Sequence, residues 1–451
     1  MLRSAFETVV LTGIYAASLA TARSDALDAL SPRPGISFKL TQGHRSTTAD
    51  KVTSNFQYVH AIRGGDGGGR RTNRKSVASI LGAHQRQVGG TGYQNITSTT
   101  AYGTQYSIDV TFADVPLRLL LDTGSSDTWI VQEGFRCVDF ADEDVDESQC
   151  GFGTPYPGDF QDGAIEGQHI YIQYGDGEIV YGAVGYSDVT LGNVTVKKQE
   201  AGLANTTYWF GNNVTSGVLG LAYPSLTNAY LGTGMEHNWL DEVSYSPIFT
   251  SMVNQGLVLP YFAMAINRNS SGGLIAWGGI PPVKGLDYST AVSMDIVITN
   301  LIDNPYTAWE YSFYTIIPDG WQWDSTTNMK KYPYIVDSGT TLCYLPPDLA
   351  ESINSAFDPP AVYLWMYGAF FTSCNARAPI MAVVMKGVRF YLNPVDLIFH
   401  NLIDPLTGLC MTGIASGGTG PYILGDVFLQ NSLAVYDVGH GQMRFISRQF
   451  Y

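Results

Sequence analysis

The stretch LLLDTGSS at residues 119–126 returns, with small changes, as YIVDSGTT at residues 334–341. Each stretch is an apolar run followed by Asp, a hydroxyl residue and Gly, the pattern of a buried strand that ends in a turn. An Asp-Ser/Thr-Gly tripeptide arises by chance only about 0.2 times in a chain of this length and composition. Two copies, each behind an apolar strand, therefore indicate a duplicated unit rather than two ordinary turns.

A second repeat follows each copy of the first. The sequence GVLGL occupies residues 217–221, and YILGD occupies residues 422–426. The distance along the chain is 97 residues from Asp122 to Leu219 and 87 residues from Asp337 to Leu424. These similar spacings predict two homologous lobes, each of which presents one Asp to a central cleft.

The composition of the 451-residue chain is that of a large, mostly β protein. Hydrophobic residues make up 45% and charged residues 14%, which is enough apolar material for a sizeable core. The 49 Gly and 28 Tyr, with short runs of β-branched and aromatic residues between the glycines, favour many hairpins. The net charge of −15 argues against nucleic acid as a partner.

The first 90 residues are expected to be removed. Arg3, the apolar run 9–20 and the small residues up to Ala22 are typical of a secretory signal peptide over residues 1–22, with a buried N-terminal helix as the alternative. Residues 23–90 carry 11 basic and 4 acidic side chains, a net charge of +7, whereas residues 91–451 carry 13 and 35, a net charge of −22. We therefore expect residues 23–90 to be a propeptide and basic, Gly-rich linker attracted to the acidic remainder.

The cysteines and glycosylation sequons fit an oxidising compartment. Five Cys are too few for a disulfide framework, and we expect the pairs Cys137–Cys150 and Cys374–Cys410, with Cys343 as a buried free thiol. Five free thiols are the alternative if the signal peptide is wrong. Sequons for N-glycosylation begin at Asn95, Asn193, Asn205, Asn213 and Asn269.

From about Tyr106 to its C-terminus, the chain resembles the pepsin-like aspartic peptidases of the secreted fungal kind. The paired Asp motifs carry this resemblance. It implies a mostly β, bilobal fold with two homologous lobes and a central substrate cleft, the first lobe over residues 91–287 and the second over residues 288–451. It also implies that Asp122 and Asp337 are the catalytic pair.

The resemblance further implies a β-hairpin flap over the cleft. The flap and substrate-binding residues are then Tyr174, Gly175, Asp176 and Gly177, with Trp129 matching the Trp that positions this Tyr in relatives. Because Asp176 lies near the flap tip, we hypothesise that the cleft accepts Lys or Arg beside the scissile bond; a solvated turn Asp is the alternative.

The chemistry of the motif residues agrees with these roles. Two carboxyl groups a few ångströms apart share one proton at acidic pH, so one acts as acid and the other as base on a water molecule. Gly124 and Gly339 allow close approach to the carboxylates, and the hydroxyls of the motifs can hydrogen-bond the carboxylates or bridge the lobes. These supporting hydroxyl residues are Thr123, Ser125, Ser338 and Thr340.

No cofactor or metal is expected. The chain has 7 His and neither a His-Glu-x-x-His motif nor paired Cys-x-x-Cys motifs, and Gly-x-Ser-x-Gly is also absent. An acidic run at residues 142–147 is expected to be a solvated loop, with calcium binding as the alternative.

The sequence thus predicts a secreted aspartic endopeptidase that is made as a zymogen and acts at acidic pH. The vacuole is the alternative location, and a catalytically silent binding protein on the same fold is the alternative function. The expected partners are protein or peptide substrates and the chain's own propeptide, which would inhibit it. We expect a monomer without a membrane anchor.

Overall fold

A computed structural model describes residues 93–99, 103–234, 239–268, 272–298 and 311–449. The predicted signal peptide, the predicted propeptide and the sequon at Asn269 lie outside these residues. Within the described ranges the chain is mostly β, as its composition predicts. No helix in these ranges is both long enough and apolar enough to cross a membrane.

The strands of the first half lie between Tyr93 and Asp295. Their bounds are β1 Tyr93–Ser98, β2 Tyr106–Phe112, β3 Val115–Asp122, β4 Thr128–Val138, β5 Asp144–Val145, β6 Ala164–Gln173, β7 Ile179–Leu191, β8 Val194–Tyr208, β9 Gly217–Gly220, β10 Ala229–Leu231, β11 Glu242–Val243, β12 Phe262–Ile266, β13 Gly273–Trp277 and β14 Leu286–Asp295.

The strands of the second half are shorter on average. Their bounds are β15 Thr315–Ile316, β16 Gly320–Trp323, β17 Thr326–Asn328, β18 Tyr334–Val336, β19 Cys343–Leu345, β20 Val362–Leu364, β21 Ala369–Thr372, β22 Met381–Met385, β23 Val388–Leu392, β24 Ile398–Ile403, β25 Cys410–Thr412, β26 Ile414–Ser416, β27 Tyr422–Leu424, β28 Ser432–Asp437 and β29 Gln442–Arg448. The α-helices in the described ranges are α1 Ile248–Asn254, α2 Pro347–Asn354 and α3 Asp426–Leu429.

One large sheet runs through the first lobe and continues between the lobes. Its strand order is β11-β10-β6-β7-β8-β4-β9-β3-β2-β1-β13-β12-β28-β29-β14, with β5 paired to β4. Strands β28 and β29 come from the end of the chain, so the sheet ties the two halves together. The second lobe contains three smaller sheets, β15-β18-β27-β19-β26, β17-β16-β22-β23 and β20-β21-β25-β24.

Alternating burial explains the long strands. Along β7 the more buried and less buried side chains mostly alternate, which is the period-2 pattern of a strand with one face on the core. In β22 all five residues, MAVVM, are buried, so this strand lies inside the second lobe. The burial pattern therefore separates strands that face solvent from strands enclosed by the lobe.

The duplicated sequence motifs form duplicated structure. Strand β3, which ends in Asp122, pairs in parallel with β9, and strand β18, which precedes Asp337, pairs in parallel with β27. In each lobe the strand after the motif, β4 or β19, pairs antiparallel with the same partner. Because parallel strands end at the same edge of a sheet, both Asp residues emerge at the carboxyl edge of their lobes.

Both expected disulfides are present, Cys137–Cys150 and Cys374–Cys410, and Cys343 is a buried free thiol. In the first lobe the disulfide packs into a hydrophobic cluster that also contains Trp129 and Trp209. The side chain of Cys343 lies in the main core, where burial raises the pKa of its thiol to about 12. Cys343 therefore behaves as a small hydrophobic residue.

Candidate active site

Asp122 and Asp337 face each other between the lobes. Their exposed fractions are 6% and 8%, so both carboxyl groups are buried. A Cβ atom added to Gly124 would lie 2.5 Å from Cγ of Asp337, and one added to Gly339 would lie 2.4 Å from Oδ1 of Asp122. Only glycine therefore allows each lobe to approach the carboxyl group of the other.

Each carboxyl group receives the same pair of hydrogen bonds from its own motif. The backbone N–H of Gly124 donates to Oδ1 of Asp122 at 2.7 Å, and the hydroxyl of Ser125 donates to Oδ2. In the second lobe the N–H of Gly339 donates to Oδ1 of Asp337 at 2.8 Å. The hydroxyl of Thr340 donates to Oδ2 of Asp337 at 2.6 Å. These donors orient both carboxylates and stabilise negative charge on them.

Thr123 and Ser338 join the two motifs across the lobe interface. Oγ1 of Thr123 accepts from the N–H of Ser338 and donates to the carbonyl of Val336, both at 3.0 Å. Oγ of Ser338 accepts from the N–H of Thr123 at 3.2 Å and donates to the carbonyl of Leu121 at 2.9 Å. The exchange is reciprocal and wholly buried, so it fixes the distance between the two Asp side chains.

The pair strongly disfavours double ionisation. Burial, followed by the negative charge of Asp337, raises the pKa of Asp122 to about 8. The hydrogen bonds from Ser125 and Gly124 act in the opposite direction but are smaller. The pair therefore retains a proton throughout the acidic range, and its titration is a property of both groups together.

A β-hairpin formed by β6 and β7 carries the predicted flap residues. Its turn covers residues 174–178, where the N–H of Tyr174 donates to the carbonyl of Glu178 at 2.9 Å. Gly177 has φ of +95°, a conformation that favours glycine. At this turn Gly175 is exposed and Asp176 is half-buried.

Tyr174 is held by the first lobe's aromatic cluster. Nε1 of Trp129 donates to the phenol oxygen of Tyr174 at 2.7 Å. The ring of Trp209 packs edge-on against both, with centroid distances of 5.0 Å to Trp129 and 5.5 Å to Tyr174. Burial, followed by the charge of Asp122, raises the pKa of Tyr174 well above its ordinary value. The phenol thus stays protonated and lies within electrostatic reach of Asp122.

The structure adds Asp426 to the surroundings of the pair. This residue begins α3, its side chain is buried, and neither carboxyl oxygen has a hydrogen-bond partner within the described ranges. Burial, followed by the charges of Asp337 and Asp122, raises its pKa well above the ordinary value. The sequence signal was its place in the YILGD repeat, where the first lobe has Leu221 instead.

Asp127 is a second buried carboxyl group that sequence reasoning did not single out. It accepts hydrogen bonds from the backbone and side chain of Asn228, at 3.0 and 2.7 Å, and from the phenol of Tyr245 at 2.7 Å. Burial raises its pKa even though these donors oppose the shift. Asp127 lies two positions before Trp129. Its hydrogen bonds fix the start of β4 and so help to hold Trp129, which donates to Tyr174.

Comparison with known proteins agrees with this geometry. The family model for eukaryotic aspartyl proteases matches residues 104–447. The chain is 38% identical over 367 residues to a probable aspartic-type endopeptidase of Aspergillus fumigatus. The aligned residues make up 78% of this chain and 81% of that protein. The chain is 26% identical over 354 residues to an acid protease of Saccharomycopsis fibuligera, with coverages of 76% and 82%.

A solved structure shares the fold. The crystal structure of the aspartic proteinase from Irpex lacteus aligns with a TM-score of 0.58 and 21% sequence identity, over 80% of this chain and 98% of that protein. The predicted bilobal, mostly β fold is confirmed by this match.

Proposed function

Because this chain belongs to the family of eukaryotic aspartyl proteases, we propose that it cleaves internal peptide bonds of extended polypeptides at acidic pH, with Asp122 and Asp337 as the catalytic pair. The observation that carries the proposal is the symmetry of the site. Two buried carboxyl groups face each other, each with one backbone N–H and one hydroxyl donor from its own motif. Such a pair shares a proton and can act as acid and base together.

In this mechanism the ionised member of the pair accepts a proton from a water molecule bound between the two carboxyl groups. The water oxygen attacks the scissile carbonyl carbon, and the protonated member donates its proton to the carbonyl oxygen. The carboxyl group that took the proton from water then donates it to the leaving nitrogen, and the C–N bond breaks. A hydroxyl of the intermediate returns its proton to the other carboxylate as the product carboxyl group forms, which restores the pair. No covalent enzyme intermediate is needed, since the nucleophile is water.

The flap provides the substrate-binding part of the proposal. Tyr174 accepts a hydrogen bond from Trp129, so its own phenol proton is available to a bound peptide. Gly175 and Gly177 at the turn keep side chains away from the peptide backbone. Asp176 is the candidate contact for a basic side chain of the substrate, the specificity hypothesised from the sequence.

We also propose secretion, N-glycosylation and synthesis as a zymogen. Two disulfides in the structure support folding in an oxidising compartment. The four sequon residues in the described ranges, Asn95, Asn193, Asn205 and Asn213, are all exposed. The basic charge of residues 23–90 supports their role as an inhibitory segment on an acidic enzyme.

The experiment is a proteolysis assay on the purified mature protein with an unfolded protein substrate between about pH 3 and pH 7. We expect cleavage at internal bonds, identified by mass spectrometry, that pepstatin suppresses and a chelator does not. Proteolysis that resists pepstatin and stops with the chelator would contradict the mechanism. Tight pepstatin binding without any cleavage would instead identify the silent binding protein.

A further inference from the structure

Glu178 closes the flap turn with a buried carboxyl group. Its exposed fraction is 6%, and its Oε1 accepts a hydrogen bond from the backbone N–H of Phe210 at 2.7 Å. Phe210 follows the end of β8, whose Tyr208 pairs with Ile179 at the start of β7. The side chain of Glu178 therefore continues the β7–β8 pairing beyond its last backbone pair, at the level of the flap turn.

The contact also reaches the residues that hold Tyr174. Trp209, the neighbour of Phe210, packs against both Trp129 and Tyr174. Tyr174 in turn has its N–H bonded to the carbonyl of Glu178. The hydrogen bond between Glu178 and Phe210 thus connects the flap turn to the same aromatic cluster that fixes the phenol of Tyr174.

Asp176 is the second acidic group of the turn. Its Oδ1 accepts from the backbone N–H of Glu178 at 3.1 Å, so both acidic side chains belong to the same hydrogen-bonded turn. Burial raises the pKa of both groups, and the charge of Asp176 raises that of Glu178 further. The charge of Glu178 also contributes to the raised pKa of Tyr174.

We propose that Glu178 is a positioning residue of the flap, which holds the turn that carries Tyr174 against the end of β8 through the N–H of Phe210. The inference rests on the proposed peptidase function. Without the acceptor on Glu178, the flap turn loses its side-chain hydrogen bond to the end of β8, and Tyr174 is held less firmly.

The test compares Glu178→Gln and Glu178→Ala with the control Glu166→Ala. Glu166 is exposed on strand β6 of the same hairpin. Gln keeps an oxygen that accepts from Phe210 but cannot ionise, whereas Ala removes the acceptor. At acidic pH we expect kcat/KM to fall about tenfold in Glu178→Ala, mainly through a higher KM, and to stay within about threefold of wild type in Glu178→Gln. The control should match wild type.

The split between kcat and KM separates a positioning role from a merely structural one. A smaller fraction of folded protein lowers the apparent kcat and leaves KM unchanged, whereas a displaced flap raises KM. A Glu178→Ala variant that lowers only the apparent kcat would overturn the proposal, as would one that behaves like Glu166→Ala.

Hydrogen exchange gives a readout that does not need activity. In the uninhibited protein at acidic pH, the amide of Phe210 should exchange about tenfold faster in Glu178→Ala than in wild type, with Glu178→Gln close to wild type. Equal protection in all three proteins would overturn the inference. A wild-type protein that cleaves nothing but shows the expected exchange pattern would disprove the proposed function and leave the flap contact standing.

Discussion

At the scale of single residues, Asp426 makes the stability of the folded protein depend on pH. It is buried near the pair without a hydrogen-bond partner in the described ranges, and its pKa is raised well above the ordinary value. In the unfolded chain the same carboxyl group ionises near pH 4. The folded protein therefore binds an extra proton, and its free energy of unfolding decreases as the pH rises above about 4.

Replacing Asp426 by Asn should remove this pH-dependent loss of stability. Asn has nearly the shape of a protonated Asp, so the two proteins should unfold at similar temperatures near about pH 3.5, where Asp426 is protonated in the folded state and mostly protonated in the unfolded chain. The variant should become progressively more stable than wild type toward neutral pH. The measurement is the midpoint of thermal unfolding across this pH range. A difference that is independent of pH, or that favours Asp at neutral pH, would contradict the raised pKa.

At the scale of elements, the flap hairpin receives a hydrogen bond from β4, donated by Nε1 of Trp129 to the phenol oxygen of Tyr174. Phe at position 129 would keep a buried aromatic ring but would lack the indole donor to Tyr174. We expect kcat/KM to fall about tenfold in Trp129→Phe, in line with the loss of one hydrogen bond at a functional position. Tyr174→Phe should cause a similar loss, because it removes the other partner and the phenol donor.

A double-mutant cycle tests whether the two side chains act through this contact. The double variant with both substitutions should be little worse than Tyr174→Phe alone, since the bond can be lost only once. Trp209→Phe is the matched control, because it alters the same cluster but leaves the hydrogen bond in place. Multiplicative losses in the double variant would show that Trp129 does not act by positioning Tyr174.

The elements also show what the sequence can and cannot predict. The two strands that lead to Asp122 and Asp337, their parallel partners and the flap turn all have local signals, namely apolar runs, glycines and a repeat. The buried state of Glu178 has no local signal, because it depends on Phe210, which is distant in the chain. For Asp426 the only signal is its place in the YILGD repeat. From the sequence alone, GDGE at residues 175–178 is predicted to be a polar turn. Only the strand register, which pairs Ile179 with Tyr208, shows that Glu178 lies opposite the end of β8.

At the scale of the whole molecule, the charge distribution predicts how the precursor is activated. The basic residues 23–90 should be attracted to the acidic remainder at neutral pH, and protonation of carboxylates weakens that attraction as the pH falls. Lys and Arg keep their charge throughout. Acid should therefore release the segment, followed by cleavage either by the enzyme itself or after the basic residues at 70–75.

The activation prediction is an inactive precursor near neutral pH and a mature N-terminus between about residues 71 and 95. Within this range we expect cleavage before Tyr93, where β1 begins, because β1 pairs with both β2 and β13 and should stay in the mature protein. The measurement follows activity of the purified precursor at acidic and neutral pH and determines the new N-terminus by mass spectrometry. Full activity at acidic pH with residues 23–90 uncleaved would rule out an inhibitory propeptide.

The central claim is that Asp122 and Asp337 act together as a general acid–base pair on water. Its most direct test is peptide hydrolysis by purified Asp122→Asn and Asp337→Asn variants. Each variant must first show a cooperative thermal unfolding transition like that of wild type, so that it is known to be folded. General acid–base catalysis contributes ~100- to 10,000-fold, so kcat of each variant should fall by at least about 100-fold at acidic pH. Near-normal hydrolysis by either folded variant would contradict the account.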